Sequence, residues 1–246
     1  GSREERTIEA DFVVDASGRT SRVPEWLTAI GYEAPQETVV NAFLGYATRW
    51  YNKRPDFNEF WKDLLIASQP PHNPRGGALW EVEGGRWVVT LAGANRDYPS
   101  TDEAGFMDFA RSLPHTAIYD AIKDAEPLGD IYGYQRTENR LRHYERLARW
   151  PQSFAVLGDA VCAFNPVYGQ GITTGAMQVE ALQAALQAHD TASLQQRIAQ
   201  VIQTTWLMAT GEDYRYPATE GPRPGFSTRL MHHYIDRVQV LLCRDT

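Results

Sequence analysis

The chain has 246 residues, of which 43% are hydrophobic and 22% are charged, so it can form one large domain or two moderate ones with proper cores. Its formal net charge of −7 disfavours binding to nucleic acid, and no apolar run approaches the roughly 20 residues of a membrane span. The two cysteines lie in no CxxC motif or Cys/His cluster, which excludes a disulfide scaffold and a zinc site and favours a cytoplasmic protein with reduced thiols.

The N-terminal region predicts a strand followed by a short helix. Residues 7–14 form the strand, which ends at the sequence Asp-Ala-Ser-Gly-Arg-Thr-Ser of residues 15–21. Ser21 is a suitable N-cap, Pro24 suits a first helical turn, and Gly31 suits the end of the helix.

The middle of the chain is rich in β-branched and aromatic residues and predicts mainly antiparallel strands. A strand is predicted over 39–51, and a hairpin joins 78–82 to 86–91 through Glu83-Gly84-Gly85, whose glycines permit positive φ. The further predictions are helices over 102–113 and 118–125 and a strand over 131–136. The aromatic side chains of this region are expected mostly in the core, although some could line an apolar pocket: Phe43, Tyr46, Trp50, Tyr51, Trp61, Trp80 and Trp87.

The C-terminal region predicts a return to alternating strand and helix. A polar connector over 142–150 leads to the strand Phe154–Leu157, and a loop over 158–171 precedes a long helix. That helix carries a predicted apolar face: Ile172, Ala176, Met177, Val179, Leu182, Ala185 and Leu186. A second helix is predicted over 193–208 and a loop over 212–225. A last amphipathic helix could pack on protein or lie on a membrane surface, and we expect the former; its apolar stripe is Leu230, Met231, Tyr234, Ile235, Val238, Leu241 and Leu242.

These elements predict a mixed α+β and α/β chain of two interleaved domains. An α/β domain is contributed in two pieces, 3–31 and 150–210, and a mainly antiparallel β-sheet domain over 32–149 is inserted between them. A loop and helix over 211–246 complete the predicted organisation.

The loop after Phe154–Leu157 has the features of a ligand site. Asp159 stands at the carboxyl end of a strand, where α/β sheets bind ligands, and a carboxylate there accepts hydrogen bonds from polyol hydroxyls. Gly169-Gln170-Gly171 allows close approach of the backbone, and the helix from Ile172 presents free N–H groups. The expected ligand has a polyol chain and a ring with an edge that becomes negative. Cys162, in the same loop, is expected to be a small buried packing residue rather than a reactive thiol.

A dinucleotide fingerprint is excluded for this loop. The sequence Gly-Gln-Gly-Ile-Thr-Thr-Gly of residues 169–175 has suggestive glycine spacing, and Asp190 follows at a suitable distance. However, in a true fingerprint the first glycine directly follows the strand, and the acidic residue ends the next strand. Here the glycines come well after the strand, and Asp190 ends a helix.

Two separated motifs together resemble the FAD-dependent monooxygenases of the para-hydroxybenzoate hydroxylase fold. Val-Leu-Gly-Asp-Ala over 156–160 and Pro-Val-Tyr-Gly-Gln-Gly over 166–171 resemble the family's GD motif and its PxxGQG continuation. Residues 10–22 resemble its DG motif, and their Asp-Ala-Ser-Gly-Arg variant is closest to an epoxidase-like bacterial subgroup. Residues 210–217 resemble the same subgroup with lower specificity.

The resemblance implies a set of FAD-binding residues. Asp159, preceded by Gly158, would bind the ribityl chain, and the backbone from Gly169 through Gln170, Gly171 and Ile172 to Thr173 would face the pyrimidine edge of the flavin. Pro166 would lie beside the ring. Asp15, Gly18 and Arg19 would lie near the pyrophosphate and the domain junction. No catalytic residue and no metal ligand is assigned.

The activity implied is that of a monooxygenase, a flavoprotein oxidoreductase that uses O2 and NADH or NADPH. A flavin hydroperoxide would hydroxylate or epoxidise a small apolar substrate. Three alternatives are open: a flavin reductase of isoprenoid double bonds, a non-catalytic fragment or partner-binding module, and, less favoured because no WxWxIP stretch occurs, a halogenase.

No glycine cluster of the chain fits the family's N-terminal GxGxxG segment, which should cradle the FAD diphosphate. The chain begins Gly1-Ser2, as after removal of a tag, and runs almost directly into a strand. We therefore expect that an N-terminal FAD-binding segment precedes these residues in the natural protein.

Overall fold

The polypeptide crosses three times between two folding units. The computed structural model describes residues 7–57, 61–222 and 225. Of these residues, the first unit contains those up to Val39 together with Asn139–Ala209, and the second contains those from Val40 to Glu138 and the described ones from Thr210 on. The antiparallel sheet of the second unit is thus an insertion into the first, as the sequence predicted.

The helices and strands follow the chain in this order: β1 (Val13–Asp15), α1 (Val23–Ala29), β2 (Glu37–Val40), β3 (Gly45–Asn52), β4 (Asp63–Ile66), β5 (Arg75–Val82), β6 (Arg86–Gly93), α2 (Glu103–Arg111), α3 (Ala117–Ile122), β7 (Pro127–Tyr134), β8 (Asn139–Arg142), β9 (Phe154–Val156), β10 (Cys162–Ala163), α4 (Gly171–Gln187) and α5 (Leu194–Asp213). Short 3₁₀ turns cover Tyr144–Arg146, Gly158–Ala160 and Pro166–Tyr168. Within the described ranges, no helix combines the length and the apolar run needed to cross a membrane.

The first unit contains two small sheets. β1 pairs in parallel with β9, and a second sheet has the strand order β10-β8-β2. Helices α1, α4 and α5 supply residues to the same core as β9, through Leu27, Ala185 and Ile198 among others. This core therefore anchors the carboxyl end of β9, where the predicted ligand loop begins.

The second unit is a five-stranded antiparallel sheet in the order β4-β5-β6-β3-β7. One face packs against α2 and α3, and its buried residues include Tyr51, Trp87 and Phe106. The predicted hairpin is confirmed: Val82 pairs with Arg86 across a turn in which Gly84 and Gly85 both have positive φ.

The first strand and its helix differ from the prediction. The strand over 7–14 was predicted too long, because β1 pairs with β9 only from Val13 to Asp15. Ser21 lies one residue before the N-cap Arg22, although its Oγ does accept a hydrogen bond from the Val23 amide at 3.2 Å. Pro24 lies in the first turn, as predicted.

The single strand predicted over 39–51 is wrong: it is two strands, β2 and β3. Between them the Asn41 side chain accepts a hydrogen bond from the Phe43 amide at 2.8 Å, and Phe43 has a φ of 49°. An Asn side chain that bonds the backbone two residues on turns the chain out of the extended conformation. β4 and β8 were not predicted, and β7 begins at Pro127 rather than at 131.

The second C-terminal helix is longer than predicted, and the unit boundaries differ. α5 continues to Asp213, into the predicted loop. Residues 32–39 and 139–149 belong to the first unit, because β2, β8 and β10 form one sheet. The predicted stripe that begins at Leu230 lies outside the described residues.

Candidate functional site

The two sequence motifs begin at the same edge of one sheet. In the parallel pair of β1 and β9, Asp15 lies opposite Val156, and the Leu157 amide donates to the Asp15 carbonyl at 2.8 Å. The chain leaves both strands in the same direction. The two loops that follow, the DG loop (residues 15–22) and the GD loop (residues 157–164), therefore start side by side.

The Asp15 carboxylate is occupied within the DG loop. It is buried, Oδ2 accepts from Ser21 Oγ at 2.6 Å, and Oδ1 accepts from the Ser17 amide at 3.3 Å. Gly18 has a φ of 84°, and its carbonyl accepts from the Ser21 amide at 2.9 Å. The structure thus gives Asp15 and Gly18 a role in shaping the loop; a cofactor contact for them stays a prediction.

The GD loop turns sharply at Gly158, directly after β9. Its φ is 62°, a conformation that costs a residue with a Cβ atom about 1–2 kcal/mol. The Gly158 amide donates to Gln178 Oε1 of α4 at 2.8 Å, and Gln178 is fully buried. The sequence analysis did not identify Gln178, because a polar residue in a predicted helix is expected to face solvent.

The Asp159 carboxylate differs from that of Asp15 in having no hydrogen-bond donor among the described residues. A Cβ atom placed on Gly171 would lie 3.7 Å from Asp159 Oδ1, so the carboxylate faces the first turn of α4. Asp159 keeps solvent-accessible surface, but the surrounding protein removes part of its hydration. This burial raises the pKa of Asp159, and the positive charge of Arg19 partly offsets the increase.

A second tight loop brings the chain to the start of α4. Asn165 Oδ1 accepts from the Val167 amide at 3.3 Å, and Gly169 ends the short 3₁₀ turn with a φ of 63°. The side chain of Gln170, the N-cap residue of α4, makes no capping hydrogen bond. The first amides of an α-helix have no acceptor within the helix, so they can bind a ligand here.

The buried face of α4 matches the predicted apolar face only in part, at Ala185 and at Leu182, which packs against the core. The helix buries Thr174, Gln178 and Ala185, whereas Ile172 is 91% exposed and Val179 is 53% exposed. The inner face packs on the turn around Gly158, where a small or hydrogen-bonding side chain fits. The remaining large apolar residues of the predicted face, Ile172, Met177, Val179 and Leu186, lie on the outer side of this helix.

Two arginines link the DG and GD loops. Arg19 Nη2 donates to the Phe164 carbonyl at 2.9 Å. The buried Arg142 of β8 donates to the Ala160 carbonyl at 3.0 Å through Nη1 and to the Arg19 carbonyl at 3.3 Å through Nη2, while its Nε pairs with Glu37 Oε1 at 2.8 Å. Arg142 was not predicted, since nothing local in the sequence connects it to either loop.

The predicted residues around the start of α4 are exposed, whereas Cys162 is buried. Around the start of α4 the chain exposes Pro166, Gly169, Ile172 and Thr173 to solvent. Cys162 is buried in the core of the first unit, and burial raises the pKa of its thiol, so it is a packing residue as predicted. In the ranges that the structure describes, no group of three or more His, Cys, Asp or Glu residues is arranged to hold a metal ion.

No protein-family model matches the chain, but one curated protein is clearly similar. Protein Rv3254 of Mycobacterium tuberculosis (strain ATCC 25618 / H37Rv) is 32% identical over 228 residues, which are 89% of this chain and 48% of that protein. The chain therefore spans about half the length of this relative.

Solved structures with this fold include flavin enzymes. A triple mutant of the flavin-dependent brominase Bmp2 matches with a TM-score of 0.61 and 13% identity, over 84% of this chain and 52% of that one. The peptidyl tryptophan dihydroxylase QhpG matches with a TM-score of 0.50 and 18% identity, over 84% of this chain and 45% of that one. The chain thus has the fold of about half of each enzyme.

Proposed function

We propose that this chain forms one wall of an FAD site in a flavin-dependent oxidoreductase. The observation that carries the proposal is the Asp159 carboxylate, which lies at the end of β9, faces the start of α4 and has no donor among the described residues. A polyol hydroxyl would supply such a donor. The residues present therefore fit a ligand that joins a ribityl chain to a ring.

In this proposal each part of the loop has its own task. Asp159 accepts hydrogen bonds from the ribityl hydroxyls, and the amides of Gly171, Ile172 and Thr173 donate to the pyrimidine edge of the ring. The positive end of the α4 dipole stabilises negative charge on that edge. When bound, the flavin supplies the redox chemistry, and the protein supplies orientation and electrostatics.

The reaction we propose is monooxygenation of a small apolar substrate with O2 and NADH or NADPH. The resemblance of residues 15–19 to the epoxidase-like subgroup supports oxygen transfer, and the fold shared with a dihydroxylase agrees with it. One fold can host several reactions, and this fold is shared with a brominase. Halogenation is therefore a second candidate. Product analysis with and without bromide distinguishes the two reactions, and saturation of an isoprenoid double bond without oxygen uptake would identify a reductase.

The substrate is proposed to bind the open face of the second unit's sheet. Since Ala47 and Tyr51 point into the core, the alternation of β3 directs Tyr46 and Trp50 to the opposite face. Trp80 is 43% exposed and pairs with Val88, the residue that also pairs with Trp50. Trp80 therefore offers exposed aromatic surface to a flat molecule on this face, whereas Tyr46 packs against the cluster around Tyr216 and the Arg86 guanidinium lies over the Trp50 ring.

The first unit is proposed to bind a further polypeptide segment. Strands of parallel sheets are normally covered on both faces, yet Val13 and Val14, which point to opposite sides of β1, are 51% and 39% exposed. The exposed stripe on α4 that contains Ile172, Val179 and Leu186 is also apolar. The relative Rv3254 has about half of its length outside the match, and a corresponding segment would supply the wall for the diphosphate.

Flavin titration tests the central proposal. FAD is added to the purified chain, and quenching of flavin fluorescence gives the Kd; the measurement is repeated after co-expression with the part of Rv3254 outside the match. We expect Asp159→Ala to weaken binding wherever the wild type binds. If neither preparation binds FAD, or if Asp159→Ala binds as tightly as the wild type, the proposed site is wrong.

A further inference from the structure

The Arg142 side chain donates hydrogen bonds to both motif loops and to a third element. Its guanidinium donates to the Arg19 carbonyl of the DG loop, to the Ala160 carbonyl of the GD loop, and to Glu37 of β2. The residue is only 5% exposed. A buried charge costs free energy unless it is paired and hydrogen-bonded; Glu37 pairs with this charge, and the three contacts use three of the five guanidinium N–H groups.

The geometry requires an arginine in particular. The three acceptors lie at 2.8, 3.0 and 3.3 Å from three different nitrogens of one planar group. A lysine presents a single point charge on a flexible stem and cannot make this fork. The link is also reciprocal, because Arg19 itself donates to Phe164 at the far end of the GD loop.

We propose that Arg142 is a positioning residue for the FAD site: it fixes the spacing of the two loops and thereby holds Asp159 in its ligand-binding position. That FAD is the ligand rests on the proposed function, whereas the bridge between the two loops does not. Asp159 lies one residue before Ala160, whose carbonyl Arg142 holds. Displacement of that carbonyl therefore moves the carboxylate relative to the start of α4, and a small misplacement of a binding group is costly.

The test compares Arg142→Lys with two matched controls. Arg140→Lys changes the neighbouring arginine of β8, which pairs with the other oxygen of Glu37 at 3.1 Å and is more exposed than Arg142. Leu27→Ala removes core packing from the same cluster that includes GD-loop residues, but it removes no side-chain hydrogen bond of either loop. Each variant is measured by hydrogen exchange of residues 16–22 and 159–164 and by the Kd for FAD, in the preparation in which the wild type binds.

We expect Arg142→Lys to speed exchange in both loops and to weaken FAD binding by about tenfold or more, the effect of losing hydrogen bonds to a charged group. Arg140→Lys should change neither quantity, and Leu27→Ala should lower the melting temperature while leaving the Kd unchanged. Wild-type exchange or wild-type affinity in Arg142→Lys overturns the proposal, as does an equal loss of affinity in Leu27→Ala. Failure of the wild type to bind FAD would instead overturn the proposed function, and loop exchange would then decide the bridging role alone.

Discussion

Asp15 and Asp159 occupy similar places at the ends of two paired strands, but the surroundings of their carboxylates differ. Asp15 accepts hydrogen bonds from Ser17 and Ser21, whereas Asp159 receives none from the described residues. Hydrogen bonds within the protein stabilise the folded chain, and an acceptor without a partner favours a ligand that supplies donors. We therefore expect the Asp15 carboxylate to contribute to stability and the Asp159 carboxylate to contribute to ligand binding.

Replacing each aspartate with alanine tests this separation. Asp15→Ala leaves two donors of the DG loop without their acceptor, so we expect the free energy of unfolding to fall by about 1–3 kcal/mol. Asp159→Ala should leave stability within about 0.5 kcal/mol, yet weaken FAD binding by roughly tenfold to a hundredfold, the effect of losing charge-assisted hydrogen bonds. Urea unfolding and flavin titration of both variants provide the check, and a loss of stability in Asp159→Ala would contradict the assignment.

The pH dependence of FAD binding follows from the same carboxylate. Because burial raises the pKa of Asp159 above its ordinary value of 3.8, the group takes up a proton at a higher pH than most aspartates. Between 3.8 and the raised pKa, ionisation disfavours the folded state, so the contribution of Asp159 to stability decreases as the pH rises through this window. FAD binding requires the ionised form and should weaken as the pH falls through the same window.

Comparison with Asp159→Asn isolates this effect from other titrating groups. The wild type should lose FAD affinity on acidification more steeply than Asp159→Asn, whose side chain does not titrate. Stability measured in the same buffers should show the opposite difference. Parallel pH profiles of the two proteins would contradict the assignment of Asp159 as the titrating ligand.

Helix α4 combines the two functions proposed for the first unit. Its inner face holds the GD loop through Gln178, its N-terminus faces Asp159, and its outer stripe is apolar and exposed. An exposed apolar stripe on a monomer marks an interaction surface when it is contiguous. Its residues Ile172, Val179 and Leu186 recur every seven positions, which places them on one side of the helix.

Polar substitution in this stripe should prevent binding of the proposed further segment without harming the fold. We expect the double variant Val179→Gln with Leu186→Gln to keep the melting temperature of the wild-type chain, because both side chains are already exposed. Its co-purification with the part of Rv3254 outside the match should be lost. Leu65→Gln, an exposed position of the second unit, is the control and should retain co-purification. Retention by the double variant would exclude the stripe as the binding surface.

Across the whole molecule, the sequence predicts those features that depend on neighbouring residues. The glycines of the hairpin turn permit the positive φ that such a turn requires, and the structure has it at Gly84 and Gly85. The loop that contains Asp159 is likewise determined by residues that are neighbours in the sequence. By contrast, Arg142 contacts Arg19 across 123 positions of sequence, and the buried face of α4 is set by the turn it covers. Such features depend on which segments meet in space, and periodicity does not encode that information.

The second unit supplies the last test, because two tryptophans of adjacent strands lie on opposite faces of its sheet. Trp87 is buried between the sheet and its helices, whereas Trp80 is 43% exposed on the open face. Trp87→Ala creates a cavity and should lower the free energy of unfolding by about 3–5 kcal/mol. Trp80→Ala should cost little stability.

If the open face binds the substrate, Trp80→Ala should instead weaken the binding of a flat aromatic probe, and 2-naphthol serves this purpose. We expect a loss of affinity of severalfold, the size expected when about 1 kcal/mol of aromatic contact is removed. The probe is titrated against the wild type and Trp80→Ala at a temperature at which both are folded, with Leu65→Gln as a second change on the same face. Equal affinities in all three proteins would show that the substrate binds elsewhere, because a flat molecule stacked on this face must contact its most exposed tryptophan.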